Sequence, residues 1–164
     1  RGFQFPLMTD ISNPVLYDMG LRVAVQSLTE EVTARKGISV SCSFDGRLTN
    51  LAQDVEVMIF QLVKELVQNI VKHSGARKAS IRIVEERDDI NVVVADDGQG
   101  FAVGNIGSVG VDGGFGLFSI RERVKSYHGK IKIESEPGKG SEVTVMLPKK
   151  ASGVAVSRKT GKRK

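Results

Sequence analysis

Asp96-Asp97-Gly98-Gln99-Gly100-Phe101 and Gly114-Phe115-Gly116-Leu117 are two glycine-rich stretches that lie close together in the chain. Residues 92–95, directly before the first stretch, form an apolar run that is typical of a buried strand. A carboxylate at the end of such a strand can accept a hydrogen bond from an adenine amino group, and glycines let the backbone approach a ring or phosphates. The two stretches therefore favour a nucleotide site without a Walker loop. A tight hairpin turn remains the alternative for the first stretch taken alone.

The length and charge of the chain narrow its class. Its 164 residues suit a single domain with a substantial core. The net charge of +5 originates at the C-terminal end, because residues 149–164 hold seven of the 24 basic residues and none of the 19 acidic ones. The remaining chain is slightly acidic, so we expect no direct nucleic-acid partner. A short basic tail rich in Ser, Gly and Lys usually lacks fixed structure.

The chain reads as soluble and cytoplasmic. No apolar run approaches the ~18 residues of a membrane span, and the start has no signal-peptide pattern. The single cysteine, Cys42, has no partner for an internal disulfide and lies on the apolar side of an alternating stretch at residues 38–44. We therefore expect a buried strand cysteine rather than a nucleophile. Because the first residue is Arg1 rather than Met, we expect the chain to be part of a longer protein.

Hydrophobic periodicity predicts three helices and five strands. The clearest helical pattern lies at residues 53–73, where apolar residues recur at i, i+3, i+4 and i+7. The predicted helices are residues 21–34, 53–73 and 117–127, and the predicted strands are residues 38–44, 80–85, 90–95, 130–135 and 142–147. This order predicts an α+β fold, a two-layer sandwich whose mixed, mostly antiparallel sheet is covered on one face by the helices. The long loop at residues 98–114 is typical of a lid or binding loop.

A polar stripe runs along the second predicted helix. Glu65, Asn69 and His73 stand at i, i+4 and i+8 near the border of the apolar face, and Lys72 lies beside them. An amide oxygen on a helix is a suitable ligand for Mg²⁺, so Asn69 is the candidate metal ligand. Glu65 is a candidate to deprotonate or orient a nucleophile, and Lys72 and His73 are candidates to meet phosphate charge. A solvated helix edge remains the alternative.

Four motifs follow one another in a characteristic order. They are ELVQNIVKH at residues 65–73, DDGQGF at 96–101, GFGLFSIRERV at 114–124 and GKGSEVTV at 138–145. In this order they resemble the ATP-binding catalytic domain of two-component sensor histidine kinases, within the Bergerat-fold (GHKL) superfamily that also includes gyrase, heat-shock chaperone and mismatch-repair ATPases. The resemblance covers nearly all of residues 10–148. NPVLYDMGL at residues 13–21 and GLFSIRERV look like the subclass that pairs with helix-turn-helix response regulators.

The resemblance implies roles for the residues that match the family motifs. On the second helix it places the Mg²⁺ ligand at Asn69 and its acidic partner at Glu65, with Lys72 and His73 on the phosphate side. The adenine-binding aspartate falls on Asp96, because the family pattern is an acid, any residue, glycine, any residue, glycine. The other implied nucleotide-binding residues are Gly98 and Gly100 against the base, Gly114, Gly116 and Leu117 where the lid ends, and Ser141, whose hydroxyl supports the aspartate.

The resemblance also implies binding of ATP with Mg²⁺ and transfer of the γ-phosphoryl group to a histidine, mainly by positioning and charge neutralisation. We expect the phosphoacceptor histidine on an upstream dimerisation domain outside this chain, and a response regulator as the later partner. Residues 1–35 are expected to hold the end of that segment and the first helix, residues 36–148 the ATP-binding domain, and residues 149–164 the tail. The fragment is expected to be a monomer and the full-length protein a homodimer, with any membrane anchor in its N-terminal part.

Three further basic residues receive less specific predictions. Arg121 and Arg123 on the third predicted helix are expected at the surface, although one of them could approach phosphate. His128 is expected to end that helix rather than to accept a phosphoryl group. Alternative functions are a GHKL-type mechanical ATPase, an anti-sigma serine kinase and a nucleotide-free binding module. The short lid, the lead-in before the first helix, and the presence of Asn69 and Asp96 argue against these three.

Overall fold

The computed structural model describes residues 7–105 and 116–150, with side chains from residue 19 to 104 and from 116 to 150. All the predicted helices and strands are present within these ranges. The helices are α1 (Leu7–Lys36), α2 (Gln53–Asn69) and α3 (Leu117–Ser126). A π-helical turn (Ile70–Ser74) continues α2, and a 3₁₀ turn (Val103–Asn105) follows the first glycine-rich stretch. The strands are β1 (Ser39–Asp45), β2 (Lys78–Glu85), β3 (Asp89–Asp96), β4 (Lys130–Ser135) and β5 (Ser141–Pro148).

The five strands form one sheet in the order β1-β2-β3-β5-β4. Only the β1–β2 pair is parallel; the other pairs of neighbours are antiparallel. The parallel pair follows from α2, because parallel neighbours need a crossover connection and α2 lies between β1 and β2 in the chain. The register places Asp96 at the end of β3 opposite Ser141 at the start of β5. The predicted mixed, mostly antiparallel α+β sandwich is therefore confirmed.

One face of the sheet and the three helices enclose a single core. β2 alternates strictly, with Ala79, Ile81 and Ile83 buried and the residues between them exposed. Burying an aliphatic side chain of this kind is worth about 1.5–3 kcal/mol, so the alternation sets which face meets the helices. Cys42 is half-buried on β1, with its Sγ 3.8 Å from Thr29 Oγ1 of α1. The core helix α2 contributes eight buried apolar side chains: Val55, Met58, Ile59, Phe60, Leu62, Val63, Leu66 and Val67.

Helix α1 is bent at Gly20, whose φ of 91° and ψ of 171° are not helical. Beyond the bend, five apolar residues are buried in the common core: Leu21, Ala24, Val25, Leu28 and Val32. The helix ends at Lys36, before Gly37 with its positive φ of 73°. The predicted boundary at residue 35 therefore does not separate two cores, since the second part of α1 packs with α2 and β1.

Lys149 belongs to the folded domain and not to the predicted basic tail. Its Nζ lies 2.7 Å from Glu85 Oε2, and both side chains are 15% exposed. The other carboxylate oxygen of Glu85 accepts a hydrogen bond from the Leu48 amide at 2.9 Å. The hydrogen bonds from Lys149 and Leu48 hold the pKa of Glu85 below its usual value. The predicted tail at residues 149–164 thus begins with a residue that contacts β2, a contact that a charge run in a sequence does not reveal; residues 151–164 lie outside the described residues.

Within the described part of the chain, no helix has the length and apolar character needed to cross a membrane.

Candidate functional site

A cleft opens between the C-terminal half of α2, the start of α3 and the adjoining ends of β3 and β5. It encloses about 510 Å³ of empty space, including its open mouth. Its apolar lining consists of Leu66, Ile70, Val94, Phe101, Leu117 and Val143, and its polar lining includes Asn69, His73, Ser74 and Ser141. An apolar cleft with a few convergent polar groups is the usual form of a small-molecule site.

Asp96 is not among the residues that line this cleft, but it lines an adjoining open depression together with Ser141, which lines both. Each of its two carboxylate oxygens accepts one hydrogen bond from the protein. Oδ1 accepts from the Gly98 amide at 2.7 Å, and Oδ2 accepts from Ser141 Oγ at 2.6 Å. The β3–β5 register explains the second bond, because Asp96 and Ser141 are directly paired. Since an ionised carboxylate has about four acceptor positions, Asp96 keeps capacity for a ligand donor while its orientation is set.

The neighbouring Asp97 is exposed and points to a different partner. Its Oδ1 accepts hydrogen bonds from the amides of Arg77 at 2.9 Å and Lys78 at 3.0 Å. The amides of Lys78 and Arg77 hold the pKa of Asp97 below its usual value. Asp97 therefore ties the glycine-rich turn to the beginning of β2. Because Asp97 is engaged with these amides, Asp96 remains the predicted ligand-facing carboxylate.

The glycines of the first stretch are required by close backbone approaches. A Cβ at Gly98 would collide with the Ser74 carbonyl oxygen, and one at Gly100 would collide with the Glu136 carbonyl oxygen. Gly100 also has a positive φ of 66°, which disfavours other residues. The turn is thereby packed between the π-helical turn and the β4–β5 connection. This packing places Gly100 and Phe101 in the lining of the cleft.

The polar stripe of α2 is only partly brought to the cleft. Asn69 and His73 line it, whereas Lys72 is exposed and does not belong to its lining. Between Asn69 and Lys72 the helix changes from α to π geometry. The π turn changes the angle between successive side chains, so helical spacing alone does not predict where Lys72 points.

Glu65 also lies outside the cleft lining, and its partner is on another helix. Its Oε1 accepts a hydrogen bond from Arg123 Nη2 of α3. The Arg123 side chain is 33% exposed, and its Nε is buried without a partner among the described residues. Arg123 therefore lies partly at the surface, and its contact with α2 was not predicted, because a helix-to-helix contact is not encoded in the periodicity of either helix.

The start of α3 contributes Leu117 to the lining of the cleft. Gly116 precedes the helix with a positive φ of 81°, and its carbonyl accepts from the Ile120 amide at 3.0 Å. Leu117, the first helical residue, is 4% exposed and lines the cleft. Gly114 lies outside the described residues. At the other end of α3, His128 is exposed with a φ of 61°, which agrees with its predicted place at the helix end.

Gln99 and Ser74 are site residues that the sequence analysis did not identify. The Gln99 side-chain Nε2 donates to the His73 carbonyl at 2.8 Å, and its backbone N donates to the Ser74 carbonyl at 2.8 Å. The Gln99 carbonyl in turn accepts from the Gly138 amide. Gln99 thus joins three segments around the cleft. The only signal in the sequence was its place between Gly98 and Gly100, which does not reveal its partners.

The comparisons with known proteins agree with this geometry. A family model described as "Histidine kinase-, DNA gyrase B-, and HSP90-like ATPase" matches residues 54–151, more than half of the chain. The chain belongs to this ATPase family. The matched residues include α2, the glycine-rich turn, α3 and the β4–β5 pair, which together build the cleft. An ATP-binding function of this cleft therefore has the support of both family and fold.

Curated relatives within this ATPase family are named as histidine kinases. The signal transduction histidine-protein kinase/phosphatase DegS of Brevibacillus brevis is 28% identical over 142 residues, which cover 87% of this chain and 36% of DegS. The sensor histidine kinase NarS of Mycobacterium tuberculosis is 34% identical over 136 residues, which cover 83% of this chain and 31% of NarS. The chain thus spans about a third of the length of these relatives.

Solved structures share the same fold. The catalytic domain of the histidine kinase ThkA has a TM-score of 0.60 at 22% identity, covering 80% of this chain and 91% of that domain. The histidine kinase domain of a blue-light activated kinase from Erythrobacter litoralis has a TM-score of 0.61 at 18% identity, covering 79% of this chain and 61% of that one. At these identities the likeness establishes the fold of the ATPase domain.

The polar groups of the cleft suit a cation that is coordinated jointly by the protein and a bound ligand. No group of three or more His, Cys, Asp or Glu able to hold a metal ion occurs in the ranges that the structure describes. Asn69 instead offers a single amide at the cleft. Mg²⁺ commonly keeps several waters and takes one or two protein ligands together with substrate phosphates, so one amide oxygen fits this ion when a nucleotide is bound.

Proposed function

We propose that this chain is the ATP-binding catalytic domain of a sensor histidine kinase. It binds Mg-ATP in the cleft between α2, α3 and the ends of β3 and β5, and it transfers the γ-phosphoryl group to a histidine of a dimerisation domain. The observation that carries the proposal is the Asp96 carboxylate, which is held by the Gly98 amide and by the hydroxyl of Ser141, a residue that lines the same apolar cleft as Asn69.

The apolar part of the cleft receives the adenine ring. Val94 and Val143, on the adjoining strands β3 and β5, and Leu66 and Ile70 of α2 offer flat apolar contacts to a base. Asp96 accepts a hydrogen bond from the exocyclic amino group of adenine. Guanine presents a carbonyl oxygen at that position, which would face the carboxylate without a proton between them. The site therefore selects adenine over guanine.

The phosphates lie toward Asn69 and the start of α3. Asn69 is the Mg²⁺ ligand of the protein, and His73 contributes a polar group from the cleft lining. Lys72 is exposed outside the lining and contributes its positive charge from there. The ion neutralises phosphate charge when it is bound. The amides of Gly116 and Leu117 lie at the N-terminus of α3, where free amides and the helix dipole favour an anion. Gly114 is proposed to act with them at the end of the lid.

The chain binds ATP, which is the phosphoryl donor, and another segment supplies the acceptor histidine. Its two histidines are His73 in the cleft lining and His128 at the end of α3. Neither resembles a helical phosphoacceptor motif. We propose an acceptor histidine on the upstream dimerisation domain, a response regulator as the next phosphoryl acceptor, a cytoplasmic location for this domain, and a homodimer for the full-length protein.

Titration calorimetry with Mg-ATP tests the proposal. The wild-type chain is expected to bind ATP with Mg²⁺ and to bind GTP much more weakly. Asp96→Ala should abolish adenine-nucleotide binding, whereas Asn69→Ala should chiefly remove the dependence of binding on Mg²⁺. Asp88→Ala, an exposed aspartate in the β2–β3 turn, is the matched control. Negligible effects of both site substitutions, or absence of ATP binding by the folded wild type, would contradict the proposal.

A further inference from the structure

The ion pair between Glu65 of α2 and Arg123 of α3 joins the two helices that face each other across the cleft. We infer that these two residues are a positioning pair: they hold α3 at the distance from α2 that phosphate binding requires, and Glu65 is not the catalytic base. This inference rests on the proposed ATP site. It assigns Glu65 a different role from the one suggested by its spacing to Asn69.

Glu65 is poorly placed to remove a proton from a substrate. A general base must reach the proton that it takes, directly or through one water. Asn69, one turn further along α2, lines the cleft, whereas Glu65 does not. The Glu65 Oε1 already accepts a hydrogen bond from Arg123 Nη2. The carboxylate therefore faces α3 rather than a nucleotide.

Arg123 is held more firmly than a typical surface arginine. Two-thirds of its side chain is covered, and its Nε is buried. Its planar guanidinium group presents donors in a fixed fork, so the covered stem and the fork together restrict the geometry of the pair. Exposed ion pairs contribute little to stability, because ordering two long side chains costs entropy and solvent screens the charges. Partial burial of Arg123 reduces that loss.

The same short helix carries Arg123 and the wall of the cleft. α3 has 10 residues, and Leu117 at its first position lines the same cleft as Leu66, the neighbour of Glu65 in the chain. A helix of this length moves as a rod, with a rise of ~1.5 Å per residue. Fixing Arg123 against Glu65 therefore restricts where Leu117 and the Gly116 amide can lie. The pair acts on the phosphate end through α3, without touching the nucleotide.

A mutant cycle on nucleotide affinity tests the inference. The variants are Glu65→Gln, Arg123→Gln and the double variant, measured with Mg-ATP and with adenosine by titration calorimetry. We expect each single substitution to weaken ATP affinity about 5-fold to 10-fold and the double variant to be no weaker than either single, because the two residues act as one unit. Adenosine affinity should change by less than about twofold, since general loosening of the fold would weaken both ligands.

The control is a second ion pair on the same helix. Glu122 and Lys125 lie 3.7 Å apart, are both more than half exposed and do not reach α2. Glu122→Gln and Lys125→Gln are expected to leave ATP affinity unchanged. Charge reversal supplies an independent set: Glu65→Arg and Arg123→Glu should each weaken ATP binding, and their combination should restore it to within about threefold of wild type.

The outcomes separate this inference from the proposed function. If the wild type does not bind ATP, the proposed function fails and the inference fails with it. If the wild type binds ATP but Glu65→Gln and Arg123→Gln leave the affinity unchanged, only the positioning pair is overturned, and the result favours Glu65 acting after binding. Additive losses in the double variant, or charge reversal that the second substitution does not rescue, also overturn it. Both neutral and reversed variants are expected to fold, because both side chains are at least one-third exposed.

Discussion

Ser141 illustrates how one hydroxyl group can set the geometry of a binding carboxylate. Its Oγ donates to Asp96 Oδ2 at 2.6 Å across the β3–β5 pair. Ser141→Ala removes this donor, and hydrogen bonds to charged groups are worth about 1.5–3 kcal/mol, so we expect ATP affinity to fall about 10-fold. Ser141→Thr keeps the hydroxyl and should bind within about threefold of wild type. Titration calorimetry measures both; an unchanged affinity of Ser141→Ala would show that Asp96 is held without the hydroxyl.

Asp97 makes the stability of the domain depend on pH in a defined direction. Its pKa in the folded chain is below the ordinary value of 3.8 because the Lys78 and Arg77 amides donate to the carboxylate. A lowered folded pKa stabilises the protein fully above the unfolded value, and this contribution is lost as the pH falls through the folded value. We expect wild type to be more stable than Asp97→Asn at neutral pH and the difference to shrink below about pH 4. Urea unfolding at several pH values measures it; parallel curves would contradict the assignment.

The residue predictions rest on motifs that fix local geometry, and they missed contacts in which another element supplies the partner. The resemblance to the family motif predicted binding roles for Asp96, Gly98 and Gly100, and these roles stay predictions; the structure adds the close backbone contacts that require glycine at the last two positions. The position of Glu65 could not be predicted, since its partner Arg123 is 58 residues away on another helix. The apolar lining of the cleft looked like ordinary core in the sequence. Only the sheet register and the helix packing reveal that Val94 and Val143 face an open space.

At the scale of elements, the end of α2 is completed by a residue from another segment. The last carbonyl groups of a helix lack partners within the helix. Here the carbonyls of His73 and Ser74 accept from the side chain and the backbone of Gln99. Gln99 therefore fixes the π-helical turn, which carries His73, against the turn that carries Asp96. The two sides of the cleft are coupled through this contact.

Replacing the Gln99 amide with a carboxylate should disrupt that coupling. Gln99→Glu puts an acceptor-only group against the His73 carbonyl oxygen in an exposed position, so the loss should be about 0.5–1.5 kcal/mol, the net contribution of one hydrogen bond. We expect a lower midpoint of thermal unfolding and about 10-fold weaker ATP binding, measured by circular dichroism and calorimetry. Gln61→Glu makes the same chemical change on the exposed face of α2 and should have little effect. Equal behaviour of the two variants would show that the Gln99 side chain does not couple the turns.

The order of elements was predictable, and the geometry at their ends was not. Periodicity and turn residues predicted all three helices and five strands, because each element needs an apolar face to pack in the core and turn residues to end it. The predicted helix at residues 53–73 contains a change to π geometry at Ile70 that no propensity encodes. Within this turn His73 lines the cleft, whereas its neighbour Lys72 does not. Sequence reasoning therefore predicted the site segment but not the direction of each side chain in it.

At the scale of the whole molecule, contacts distant in sequence join both ends of the described chain to the sheet. Near the N-terminal end, Arg22 Nη2 donates to the Gly46 carbonyl at 2.8 Å. Near the C-terminal end, Lys149 pairs with Glu85, whose carboxylate also accepts from the Leu48 amide. The loop after β1 thus contacts Arg22 of α1 and Glu85 of β2. Glu85 in turn pairs with Lys149. The described residues between 21 and 149 form one structural unit, in which the residues before the predicted boundary at residue 35 pack with those after it.

Two N-terminal truncations test the extent of this unit. A chain beginning at Gly20 keeps the five buried side chains of α1, from Leu21 to Val32, so we expect cooperative thermal unfolding within a few degrees of wild type. A chain beginning at Gly37 loses all five, each worth about 1–3 kcal/mol, and this total is comparable to the 5–15 kcal/mol net stability of a typical domain. We expect it to lack a cooperative transition by circular dichroism and to show poor dispersion in amide NMR spectra. A folded, ATP-binding chain from Gly37 onward would instead establish that α1 is a separate element, because the remaining sheet and helices would then form a sufficient core without it.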